Sequence, residues 1–70
     1  MVRLNGVDFA YRNGMSIKEL VDDYNMSRPK LGLEGFAVLL NGAALTTFQA
    51  ENMLLRENDS VLIIPMIDGG

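Results

Sequence analysis

The sequence predicts an α+β domain in which a small mixed sheet is crossed by one helix, and three features carry that expectation. Asn-Gly dipeptides at 5–6, 13–14 and 41–42 punctuate short apolar runs. A single segment, Ile17 to Tyr24, has helical apolar spacing. Ser60-Val61-Leu62-Ile63-Ile64 is strongly strand-like and is stopped by Pro65.

Each element follows from local chemistry. Val2–Leu4 and Val7–Tyr11 flank Asn5-Gly6, two residues that tolerate positive φ, which predicts a type I′ hairpin. Val7, Phe9 and Tyr11 then share one face, opposite Asp8, Ala10 and Arg12. After Asn13-Gly14, the run Ser16-Ile17-Lys18-Glu19 is a capping box that starts a helix. Ile17, Leu20, Val21 and Tyr24 form its buried stripe, Lys18, Asp22 and Asp23 face water, and Asn25 ends it ahead of Pro29. Beyond the glycines at 32 and 35, Phe36–Leu40 is an apolar run of inner-strand length, turned by Asn41-Gly42 into Ala43–Leu45. Phe48–Leu55 reads as a short helical turn in a long connection, and Glu57-Asn58-Asp59 makes the last turn. The order hairpin, helix, hairpin, connection, strand is that of a β-grasp fold: four to five strands, one main helix across one face, and the last strand beside the first. The division expected is a domain over 1–65 and a mobile C-terminal tail over 66–70.

Composition excludes most chemistry. Seventy residues bury only about 60% of their unfolded surface, which leaves room for a thin core and none for a deep pocket. There is no cysteine and no histidine, hence no thiol nucleophile, no imidazole base and no soft metal ligand. A formal net charge of −3, with Arg3, Arg12, Lys18, Arg28, Lys30 and Arg56 spread along the chain, argues against nucleic-acid binding. No apolar run approaches the length of a membrane span, and the expected location is the cytoplasm. Asp22 and Asp23 point in different directions from a helix, so paired acid–base work and metal binding are not expected there. Asp8, Asp59 and Asp68 are expected to bond local backbone in turns, and Met15, Met26 and Met53 to fill gaps around the core.

The informative segment is the tail. Gly69-Gly70 is narrow enough to thread through a slot and to present a carboxylate to a partner's reacting centre, and it follows a strand, a proline and the apolar pair Met66-Ile67. Leu4-Asn5-Gly6, Ser16-Ile17 with Glu19-Leu20-Val21, Ala37-Val38 with Asn41-Gly42, Leu55 with Asp59 and Val61, and the closing Gly69-Gly70 together span nearly the whole chain. In that order and spacing the chain resembles the small sulfur carriers of the ThiS and MoaD group, ubiquitin-like β-grasp proteins. Its length and Leu-Asn-Gly opening are closer to ThiS, the thiamine thiazole carrier. Pro65 stands where MoaD-like tails have the first of two prolines, with Met66 in place of the second. Thr46-Thr47 replace a frequent Pro-Arg, and Asn58-Asp59 replace Gly-Asp.

The resemblance implies a carrier and not an enzyme. A ThiF/MoeB-like adenylating enzyme would use ATP and Mg²⁺ to activate Gly70, and a sulfur donor protein would convert it to a thiocarboxylate. Thiazole synthase, or alternatively the large subunit of molybdopterin synthase, would consume the sulfur. Gly69 and Asp68 are the expected threading residues, and Pro65, Met66 and Ile67 the expected docking anchor, with Leu62 and Leu39 as further docking candidates if the core does not bury them. The chain itself is expected to bind no cofactor, metal, nucleic acid or membrane. A competing reading keeps the β-grasp fold as an interaction module whose tail is never activated.

Overall fold

The computed structural model describes residues 1–28 and 30–66. Among them five strands form one mixed sheet: β1 (Val2–Leu4), β2 (Val7–Phe9), β3 (Phe36–Leu40), β4 (Ala43–Leu45) and β5 (Ser60–Pro65), in the order β2-β1-β5-β3-β4. The main helix, α1 (Ile17–Asn25), packs on one face, and a six-residue helix, α2 (Thr47–Asn52), lies in the long connection. β5 is central, parallel to β1 and antiparallel to β3, which is the β-grasp arrangement.

The turns set the register. Asn5 (φ 49°) and Gly6 (φ 82°) both adopt positive φ, as do Asn41 (φ 51°) and Gly42 (φ 85°), so each hairpin has the twist of a type I′ turn. Asn58 takes φ 72° in the last turn, the conformation a glycine would supply there. At the start of α1 the Ser16 hydroxyl accepts the Glu19 N–H at 3.1 Å while the Glu19 carboxylate accepts the Ser16 N–H at 3.2 Å. These bonds to Ser16, backbone first, hold the Glu19 carboxyl below its ordinary range.

The core forms between α1 and the sheet. Val2 and Leu4 of β1, Val38 of β3 and Val61 and Ile63 of β5 are buried against Ile17, Leu20 and Val21, with Met15, Ala50 and Leu55 closing the rim. Tyr24 is half-buried; Phe9 lies 6.4 Å from it, and the Arg28 guanidinium covers both rings at 5.8 and 5.4 Å. Arg28 therefore clamps the start of the loop after α1.

One side chain completes the central ladder. β1 ends at Leu4, but the Asn5 amide donates to the Ile63 carbonyl at 3.0 Å and accepts the Ile63 N–H at 2.8 Å, extending the β1 edge by one peptide-like unit. β5 is thus held on both sides up to two residues before its end.

Three expectations need correction. Pro65 is the last residue of β5, opposite Phe36, and not a stop before it; a terminal strand position needs no N–H from proline. The Met66 N–H still bonds the Gly35 carbonyl at 3.1 Å. Met26 fills no core gap: it follows the last helical residue off the apolar stripe and is 85% exposed. Asp8 bonds no turn backbone but sits in mid-strand and accepts the Arg3 guanidinium at 2.9 Å, which holds its carboxyl below the ordinary range. Asp59 behaves as expected, accepting the Arg56 N–H at 2.8 Å. The expected tail lies, beyond Met66, outside the described residues.

Candidate functional site

The helix covers one face of the sheet and leaves the other open. Strand alternation decides what that open face carries. Along β5, Val61 and Ile63 point into the core, so Leu62 and Ile64 point away from it, and each is 45% exposed. Leu62 is paired with Leu39 and Ile64 with Ala37, while Leu39 is paired on its other side with Ala44. An apolar field therefore spans three strands, Ala44–Leu39–Leu62 with Ala37–Ile64 beside it. Toward the other edge the same face turns polar: Ser60 is paired with Arg3, and Arg3 with Asp8.

The field leads to the end of β5. Met66 is 59% exposed and follows Ile64 by two residues, at the place where the chain leaves the sheet. Its backbone bond to Gly35 keeps it beside the first residues of β3.

Of the residues singled out from sequence, Leu62, Leu39, Pro65 and Met66 fall on or at the end of this face. Leu62 is exposed and Leu39 half-buried, so neither is consumed by the core. Ile67, Asp68, Gly69 and Gly70 lie outside the described residues. Sequence reasoning missed Ile64 and Ala37. The alternation with Ile63 contained the signal, but four consecutive apolar residues in β5 hid it.

Elsewhere the surface offers less. A groove of about 570 Å³ on the helix side mixes Lys18 with Asp22, Glu34 and Glu51, and the sheet separates it from the open face. Asp22 and Asp23 do not act together, because Asp23 accepts Arg12 at 3.4 Å. Among the described residues no group of three or more acidic side chains is placed to hold a metal ion. No helix among them is long and apolar enough to cross a membrane. Among these features the open face stands out as an exposed, mainly apolar surface that spans three strands.

The family model of the ThiS family matches residues 2–70, which includes every strand, both helices and the closing glycines. The chain belongs to the ThiS family. No curated protein matches it. As a ThiS-family protein it is a small sulfur carrier, and its interactions are with adenylating and sulfur-utilising enzymes. In this ThiS-family chain the Thr46-Thr47 departure acquires a structural role. Thr46 is the N-cap of α2: its hydroxyl accepts the Gln49 N–H at 3.1 Å, and the Gln49 side chain accepts the Thr46 N–H at 2.8 Å.

Proposed function

We propose that the chain carries sulfur as a thiocarboxylate on Gly70 for assembly of the thiamine thiazole. The observation that supports this best is the apolar field of Leu39, Leu62 and Ile64, which runs to the end of β5 a few residues ahead of Gly69-Gly70. A partner seated on that field has the terminus within reach of its own active site: the four residues after Met66 span at most about 14 Å.

The chemistry requires little else from the carrier. A carboxylate is a poor acylating agent because its leaving group would be oxide. In the partner's site a Gly70 carboxylate oxygen attacks the α-phosphorus of ATP and pyrophosphate leaves, with Mg²⁺ neutralising its charge. The resulting acyl-adenylate has AMP as a good leaving group. A persulfide sulfur then attacks the Gly70 carbonyl carbon and expels AMP; a thiol cleaves the S–S bond, leaving the thiocarboxylate on the carrier and a disulfide behind. ATP, Mg²⁺ and the sulfur donor belong to partners, in keeping with a chain that has no cysteine or histidine.

In this reading residues 1–65 present the docking face, and Pro65, Met66 and Ile67 anchor the chain at the partner's entrance. Asp68 and Gly69 pass through it. The activating partner is a ThiF/MoeB-like adenylating enzyme, the acceptor is thiazole synthase, and the setting is the cytoplasm, where ATP is supplied. Pro65 favours a second acceptor, the large subunit of molybdopterin synthase, because it matches the first of the paired prolines in tails of that type. Stable co-purification with one acceptor and not the other separates the two pathways.

A residue added after Gly70 tests the carrier reading against a β-grasp module that is never activated. The expected outcome is complete loss of adenylation, read as ATP-dependent pyrophosphate release, with binding to the adenylating enzyme weakened only severalfold. Undiminished pyrophosphate release from the extended chain would contradict the reading.

A further inference from the structure

Met66 is the thioether that stands at the working end of the open face. Met15 is 1% exposed and sealed in the core, and Met53 is half-buried. Met1 and Met26 are exposed but sit elsewhere in the fold: Met1 precedes β1, where its carbonyl accepts the Asn58 N–H beside the start of β5, and Met26 caps α1 on the helix side. Met66 alone among these combines exposure with a place beside Ile64 and the exit of the chain.

A thioether here has a chemical consequence. Methionine is flexible and polarisable, suited to fitting more than one apolar partner surface, but it is open to two-electron oxidation when exposed. With no cysteine in the chain, thioethers are its only side-chain sulfur. We propose that Met66 is a reversible oxidation site through which peroxide turns off docking at the open face. Hydrogen peroxide transfers one oxygen atom to the Met66 sulfur; its O–O bond breaks, water leaves, and the thioether becomes a sulfoxide. The sulfoxide oxygen is a strong acceptor on a formerly apolar tip, and burying it against an apolar partner without a donor weakens binding by roughly tenfold or more. A methionine sulfoxide reductase reverses the change with two thiols as reductant: they supply two electrons and two protons and become a disulfide, and the sulfoxide oxygen leaves as water. The proposal rests on the carrier reading, since it takes the open face to be where partners dock. It adds a control: under peroxide the carrier is released before its terminus is activated.

The test uses the full chain with its adenylating enzyme, ATP and Mg²⁺, and reads pyrophosphate release against carrier concentration before and after mild peroxide. Peptide mass analysis is expected to find sulfoxide at Met66, Met1 and Met26 and none at Met15. The KM for the carrier is expected to rise about tenfold with kcat unchanged, and to return after reductase treatment. Peroxide should act equally on a Met26→Leu chain, and should leave the KM of a Met66→Leu chain at whatever value that chain has untreated. An unaltered KM in a chain shown to carry Met66 sulfoxide, or an equal rise in Met66→Leu, overturns the proposal and leaves the carrier reading standing. An untreated chain that is never adenylated overturns both.

Discussion

Ile64→Glu is expected to raise the carrier concentration needed for half-maximal adenylation by about 100-fold while leaving the domain folded. Ile64 lies on the open face opposite Ala37, and its neighbours along the strand, Ile63 and Pro65, keep their own positions. A glutamate there stays solvated in the free carrier, where the side chain it replaces is 45% exposed, so the cost to folding is about 1 kcal/mol or less. In the docked state the carboxylate would be stripped of water against an apolar surface, a penalty of several kcal/mol that the partner has no reason to offset. A rise in KM with unchanged thermal stability is the expected signature. The same substitution at Asp8, on the polar side of the face, should change KM little. Equal activity of Ile64→Glu and the unaltered chain would remove the open face from the mechanism.

Leu20→Ala is expected to have the opposite signature, a collapse of stability. Leu20 is fully buried in the middle of the α1 stripe and belongs to the same core as Leu4, Val61 and Ile63. Truncating such a side chain costs about 2–5 kcal/mol, from lost transfer energy and the cavity left behind. A domain of 70 residues has a total stability of only about 4–10 kcal/mol. The substitution therefore removes a large share of it and lowers Tm by roughly 10–30 °C, measurable by circular dichroism. Leu62→Ala, on the other face, should shift Tm by only a few degrees. A comparable loss from the two substitutions would mean that the face assignment of β5 is wrong.

How much of this was legible in the sequence depended on whether the relevant signal was local. The capping box of Ser16 and Glu19, the Asn-Gly hairpins and the stripe from Ile17 to Val21 act within a few residues, and the structure follows them closely. The second capping box, Thr46 with Gln49, is equally local, and its signal is the hydroxyl three residues ahead of the glutamine. The placing of the last strand beside the first followed from the order of elements, but individual side-chain contacts between distant segments were not legible. Asn5 and Ile63 are 58 residues apart, and nothing in Asn5-Gly6 beyond the turn announces that the amide also completes the β5 ladder. The open apolar face was half-legible for a different reason. A strand apolar on both sides carries no period-two contrast, so Leu62 and Ile64 could not be told from Val61 and Ile63 until one face was covered by α1 and the other left open. Arg28 shows a related limit: its contacts with Phe9 and Tyr24 depend on how β2 and α1 come together, which no single segment encodes.

The central claim is that Gly70 carries the sulfur, and intact-mass spectrometry tests it most directly. The full chain is incubated with its adenylating enzyme, ATP, Mg²⁺ and a persulfide donor, alongside a carrier of the same family known to react. The account predicts a product heavier by the difference between one sulfur and one oxygen atom, with fragmentation placing the change at Gly70. An unchanged mass, while the control carrier gains its sulfur, would contradict it.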